Sequence, residues 1–476
     1  MMNNILQQKE ISFKCMERKI FEYGCGVAKN VLKEGLQELD RQLMKSRDKS
    51  VYRHKGHRKT CIKTLMGEVE YSRAVYEVLG TSEKKFVYLL DEYMKFDCIG
   101  FVSANLAEKI ANGVCEASYA ETAKNVTDLT GQSISHTGVW NVIQKLGTKI
   151  EQREDRLVEL NKSKELHGKR ETKVLFEEAD GVFVKLQKRY SNGKKSLSEI
   201  KLSMFHEGWK KTGANRYEAY NKNVVCSCGS GIDLKNRKEA LISKTYNTDE
   251  IEMRMFNSDG GAWIKRLYEY DDAVEFQLDP FHVRKAIRES SPGGEYEKNI
   301  LKYIENKNIE GMLDYIDAAA NSLDNPKAEE KLRKLYQYLL RNKKGLIPLK
   351  NRVLSLPKLN GDLEYRTMGN CEHNVYLSVA KRLKHRCAAW SPQGSINLCK
   401  ILCLKVGHKL SGGLDEVTSL ALPEKFTQII KYEILSASKV KEKFGKGYEG
   451  RHTSLPFENA AVSNGRSVIR RMLSFS

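Results

Sequence analysis

Apolar positions recur at helical spacing from residue 11 to 46, which predicts one long amphipathic helix. The period then shortens. Val69, Tyr71, Ala74, Val75, Tyr76 and Val78 alternate closely enough to predict strands about a turn at Gly67. Helical spacing returns from about residue 99. The stretch 118–147 divides at Gly131. Its first helix is expected to turn Ala120, Ala123 and Val126 inward. Its second opens at Ser135, a good N-cap, and buries Val139, Ile143 and Leu146. Two short helices about a glycine turn predict a helix-turn-helix, with His136, Thr137 and Asn141 facing bases in a major groove. An ordinary helical hairpin shares the pattern.

A charged helix follows, and then the period changes to that of strands. Residues 173–187 and 196–208 each read as a strand, joined by the basic turn KRYSNGKK, and a third strand is expected near 239–246. Residues 251–270 read as strand, glycine turn and helix, and 273–287 as strand and helix. The order implies an α/β sheet with an antiparallel edge and a parallel half. Residues 284 to about 350 are Lys/Glu-rich with tyrosine and leucine at helical spacing, and read as a helical insertion. A long helix follows over 366–390, and a basic, glycine-rich arm from about 440. The expected division is an N-terminal region 1–165, a sheet core in two parts, 166–283 and 361–476, and the insertion 284–360.

Composition narrows the class. A chain of 476 residues is too long for one core, and 40% hydrophobic residues with 8 prolines describe a folded protein. The net charge of +20 points to a polyanionic partner. The first twenty residues contain no apolar signal segment and no uncharged run is long enough to span a membrane, so a cytoplasmic, nucleoid-associated location is expected. Eleven scattered cysteines read as reduced thiols. Cys226-x-Cys228 is too tight for a zinc knuckle, and Cys399 and Cys403, spaced i, i+4, read as core packing. His54, His57 and Cys61 in HKGHRKTC have the residue types for zinc, but the stretch reads more simply as a basic solvated loop.

Three acids stand at special points. Asp180 interrupts the strand KVLFEEADGVFVKL, Asp259 sits where strand gives way to helix in SDGGAW, and Glu372 opens the long helix after Asn370. Singly, each has an ordinary explanation as a turn former or a helix-start acid. Together they suit another role, because sites in open α/β sheets form at the carboxyl ends of strands. Three converging carboxylates raise one another's pKa, a cost that two Mg²⁺ (or Mn²⁺) ions remove. Such a pair, about 3.5–4 Å apart, serves phosphodiester chemistry.

The EADG strand, SDGGAWI, LDPFH and the glutamate helix followed by KRLKHR, together with TLMGEVEYSRAVYE and YLLDEYMKF upstream, resemble bacterial insertion-sequence transposases of the ISLre type. These are related to the Mutator-like group. The resemblance implies an RNase H-like DDE core with a helical insertion, preceded by a mainly helical DNA-binding region. It makes Asp180, Asp259 and Glu372 the catalytic, metal-binding acids. Asp279 and His282 match the C/D-x-x-H signature, with His282 holding the site or touching DNA. A rival assignment makes Asp279 the second catalytic aspartate. The implied activity is cleavage at terminal inverted repeats and strand transfer into target double-stranded DNA, by a dimer or higher oligomer formed on DNA. Lys185, Lys188, Arg189, Lys194 and Lys195, and Lys381, Arg382, Lys384 and Arg386, are placed to follow phosphates. Trp263 and Trp390 read as packing residues. A structure-selective nuclease without strand transfer, or an inactive helix-turn-helix regulator, would share much of this pattern.

Overall fold

The computed structural model describes residues 12–418 apart from 82, 96–98, 131, 190–192, 194, 269–273, 348, 353, 354, 367, 370–375 and 385–387. Helix α1 (Phe13–Ser46) is capped by the Ser12 hydroxyl. Its C-terminal half packs on an antiparallel sheet of β1 (Tyr52–Thr64), β2 (Gly67–Val78) and β3 (Lys85–Val87). Buried Asp40 of α1 accepts the Ala74 amide at 2.9 Å and so fixes that docking. Gly67, at φ +107, makes the hairpin turn. The HKGHRKTC stretch is therefore not a loop. It is the body of β1, paired with β2 from Tyr52 to Thr64.

Helices α2 (Ala104–Glu116), α3 (Tyr119–Thr130) and α4 (His136–Lys162) follow. Two expectations change here. Ala120 is exposed, and Thr122 takes the inward place, close against Gly113. The second helix of the pair is not short. It runs 27 residues without a break. Gly147 is not its end but the place where it meets Asn397, where a Cβ would lie 2.4 Å from the asparagine Cβ.

The central sheet has the order β10-β9-β4-β5-β8. Its strands are β4 (Val174–Arg189), β5 (Lys195–His206), β8 (Asn223–Ser227), β9 (Met253–Ser258) and β10 (Val274–Leu278). β4 pairs antiparallel with β5, and β5 with β8, while β9 and β10 run parallel to β4. A small sheet of β6 (Trp209–Gly213), β7 (Arg216–Ala219) and β11 (Leu363–Glu364) stands apart from this order.

The strand expected near 239–246 is helix α5 (Gly231–Thr245), capped by Ser230. Leu234, Lys238 and Ile242 recur every fourth residue on its buried face. The third strand lies earlier, in NVVCS, and all five of its residues are buried. A strand covered on both sides loses its alternation, so the period gave no sign of it.

After β10 come α6 (Pro280–Ser290), α7 (Gly294–Glu305), α8 (Ile309–Asn321) and α9 (Pro326–Arg341), which enclose their own core of Ile287, Ile300, Met312, Ile316, Leu332 and Leu339. A π-helical stretch, Tyr376–Lys384, then leads to α10 (Pro392–Val406) and α11 (Leu410–Thr418). Val379 and Leu383 join the core formed by Val182, Val184, Leu202 and Cys226 on one face of the sheet, over which α2–α4 and α10 pack. The opposite face, with Ala179, Val225 and Phe256, is covered by α5. Among the described residues, no helix is long and apolar enough to cross a membrane.

Candidate active site

Strand pairing brings the aspartates together. Ala179 of β4 is in register with Ser258 of β9, and Leu278 of β10 with the same Ser258. The next residue on each chain is Asp180, Asp259 and Asp279. The Asp279 amide donates to the Ser258 carbonyl at 2.8 Å, which holds the third chain in step with the second. Neighbouring strands lie about 4.8 Å apart, so the three residues span about 10 Å of one sheet row. β9 and β10 end here, while β4 continues to Arg189. Asp180 thus stands mid-strand but at the carboxyl edge of its parallel neighbours, which is why its strand reads unbroken through an acid.

Each carboxylate commits one oxygen to nearby backbone. Asp180 Oδ1 accepts the Gly181 amide at 2.7 Å, Asp259 Oδ1 that of Gly261 at 2.8 Å, and Asp279 Oδ1 that of Phe281 at 2.9 Å. The last bond makes Asp279 the N-cap of α6. The second oxygen of each takes no hydrogen bond from the described residues. Burial pushes the Asp180 carboxyl up to about 6. The Gly181 amide opposes that rise, the charges of Asp259 and Asp279 add to it, and His282 favours the ionised form. The set is more open than a single-ion cage: among the described residues, only a cysteine trio brings three possible ligands within 4.8 Å of one another. Spare, hard carboxylate oxygens spread along an edge fit Mg²⁺ or Mn²⁺ and not a soft ion.

Supports lie beneath and beside this row. Two residues back on the same face, Glu178, Asn257 and Gln277 share a register row, and both amide atoms of fully buried Asn257 find no hydrogen-bond partner among the described residues. On the opposite face, buried Glu177 receives Lys238 at 2.5 Å and pairs with Arg254, which holds Glu239 at 2.7 Å. Of the three acids in FEEAD, Glu177 is therefore a paired core anion, with a carboxyl held low by Arg254 and Lys238 against the burial that raises it. Gly260, at φ +76, lets the Asp259 turn press against Asn342. The Tyr338 hydroxyl of α9 donates to the Asp259 carbonyl at 2.9 Å. Burial, then the charges of Asp259 and Asp279, push that phenol up. Nothing in the sequence separates Tyr338 from the other tyrosines of the insertion.

Glu372 and Arg386 lie outside the described residues, as do Lys194 and the arm from 440. The chain on either side of Glu372 is described. A Cβ on Gly369 would stand 3.9 Å from Asp279 Oδ1, and Tyr376–Lys384 packs on β4 through Val379 and Leu383.

His136, Thr137 and Asn141 are exposed at the start of α4, and Ser135 caps it as the sequence predicts. Lys185, Lys188 and Lys384 are exposed, and Lys381 pairs with Glu116 at 2.6 Å. Arg189 ends β4 and Lys195 begins β5. Arg382 departs from the basic face. It is buried, donates to the Val114 carbonyl at 2.9 Å and lies over the rings of Tyr119 and Trp390. Its guanidinium is a packing element between helices, not a phosphate contact. Trp390 is likewise buried, and Trp263 donates to Glu199 at 3.1 Å. His54 and His57 stack edge-on at 5.0 Å on β1, and with Cys61 they do not form a three-ligand cluster.

The chain is similar to the Drosophila P element transposase strand transfer complex at 11% identity and a TM-score of 0.20, over 65% of this chain and 79% of that one. A likeness that slight bears on neither fold nor function. Relatives by sequence include a UPF0236 protein of Caldanaerobacter subterraneus subsp. tengcongensis, 24% identical over 80% of this chain and 75% of its own length. A second UPF0236 protein of the same strain is 25% identical, over 80% and 74%. A UPF0236 protein from the vanSb 3′ region of Streptococcus gallolyticus is 26% identical, over 70% and 69%. The model of the uncharacterised protein family UPF0236 matches residues 6–415, and the chain belongs to that family.

Proposed function

We propose that this protein is a DDE transposase that binds the terminal inverted repeats of an insertion sequence, cuts at its ends and joins them to target DNA. The observation that carries the reading is the aspartate row. Asp180 and Asp259 occupy one register row at the carboxyl edge of adjacent parallel strands, with Asp279 beside them. A sheet whose first three strands are antiparallel, with two more parallel to the first, supports an RNase H-like core. The name of the second Caldanaerobacter relative joins eleven locus designations of one strain, as expected for a sequence that copies itself.

In this reading Asp180 and Asp259 would hold the metal ions, and Glu372, which falls in the chain between Gly369 and Tyr376, would complete the set. When bound, two divalent cations supply Lewis acidity at the scissile phosphodiester. Asp279 caps α6, the helix that carries His282, whose charge favours ionised Asp180, while Tyr338 holds the Asp259 turn. The first turns of α4 read the ends of the element, and Lys185, Lys188 and Lys384 meet phosphates.

A joining assay tests this. Full-length protein, Mg²⁺ or Mn²⁺ and a pre-cut inverted-repeat end are expected to give strand-transfer product. Asp180→Ala and Asp259→Ala are each expected to abolish it and leave end binding nearly unchanged. Cleavage without joining would favour a nuclease, and binding without either would favour a regulator. Full activity in Asp259→Ala with none in Asp279→Ala would move the second ligand to Asp279.

A further inference from the structure

Cys226 lies on β8, and Cys399 and Cys403 lie one turn apart on α10. All three are buried, and their sulfur atoms stand within 4.8 Å of one another. The sequence hides this, because the partners of Cys226 come from the other end of the chain. Beside them Lys400 and Arg237 are both paired with Glu154, at 2.5 and 3.1 Å, and Arg237 also with Asp155 and Asp233. Cys403, Glu154 and Arg237 line a cavity of about 340 Å³, which gives the cluster a way in.

A buried three-sulfur face suits a soft divalent ion: sulfur ligands at about 2.3 Å from tetrahedral zinc stand about 3.8 Å apart, within reach of the observed spread. Zinc with three thiolates carries one net negative charge, which Lys400 faces. We propose that Cys226, Cys399 and Cys403 form a binding site for one thiol-seeking cation, zinc in the first instance, that ties α10 to the edge strand β8. Water from the cavity completes the coordination. Cys226 is in register with Leu202, and Leu202 with Asp180, so the tie braces the sheet row that carries Asp180, two strands away on the same face. It also fixes the helix that follows the Glu372 segment. The site stands on its own geometry and does not depend on the transposase reading.

The test uses the full chain, purified without chelator from cells supplied with zinc. Metal analysis is expected to find about one zinc per chain. Exchange with Co²⁺ is expected to give the near-ultraviolet charge-transfer absorption of thiolate ligands, which no aspartate site produces. Cys399→Ser and Cys403→Ser should each lose the zinc and the absorption, and Cys228→Ser and Asp180→Asn should keep both. The wild-type measurement decides even where a variant does not fold. Wild-type protein without zinc, silent with Co²⁺, and with all three thiols reactive once unfolded would overturn the proposal in favour of an apolar thiol core. Two thiols missing until reduction would overturn it in favour of a disulfide.

Discussion

In the proposed reading Asp180 is an acid placed for chemistry and not for stability, and its burial carries a cost. Its carboxyl titrates near 3.8 when unconstrained and near 6 in the fold, chiefly through burial. The folded state therefore holds the extra proton between those values, and stability falls as pH rises from about 4 to about 6. A gap of about two pKa units corresponds to about 3 kcal/mol. Asp180→Asn removes that charge, so at pH 7 the ion-free variant should melt later than wild type, by about 1–3 kcal/mol in chemical denaturation. Mg²⁺ should stabilise wild type at pH 7, much less at pH 5 where the proton competes, and the variant at neither. Equal cation effects on both proteins would show that Asp180 is not a ligand.

In the proposed reading the helices divide base contact from packing. His136, Thr137 and Asn141 lie exposed on the first turns of α4, whereas Arg382 is sunk between α2, α3 and Trp390. Thr137→Ala with Asn141→Ala should weaken binding to inverted-repeat DNA over scrambled DNA by tenfold or more, since each lost base contact costs about 1–3 kcal/mol, with the melting temperature unchanged. Arg382→Ala should do the reverse. It strands the Val114 carbonyl and should cost about 1–3 kcal/mol of stability, with sequence preference intact. Gel-shift titration beside thermal unfolding separates the two. The Ser135 cap and the apolar spacing of α4 are legible in the chain because both are local. The burial of Arg382 is not, since KRLKHR reads as a charged run until Tyr119 and Trp390 are brought to it. The same holds for strands: β4, β5, β9 and β10 announce themselves by alternation or flanking turns, while β8, covered on both sides, does not. The meeting of Asp180 and Asp259 at the ends of parallel strands was legible as an expectation, but the register that sets Asp279 beside them was not, because register between strands is set by pairing at a distance. The cysteine trio was not legible at all, since its members meet only when α10 crosses β8.

At the scale of the whole molecule the net charge of +20 is the largest single feature, and what it does is decided by ionic strength. Charge that merely keeps a protein dissolved leaves its DNA affinity weak and nearly flat in salt. Charge laid against phosphates releases counterions, and each contact adds about 0.9 to the slope of log affinity against log salt. With about six contacts, drawn from exposed residues such as Lys185, Lys188 and Lys384, affinity for an inverted-repeat duplex should fall about thousandfold between 50 and 200 mM salt. Lys185→Gln with Lys188→Gln should reduce the slope by about two and weaken binding to all sequences alike. Asp180→Ala should leave the slope where it was, because in the proposed reading the aspartate row meets only the reacting phosphate and not the length of bound duplex. A flat salt response in wild type would remove DNA as the partner of this charge. A steep response unchanged in the lysine variant would move the grip elsewhere on the chain and leave the aspartate row without its neighbouring phosphate track.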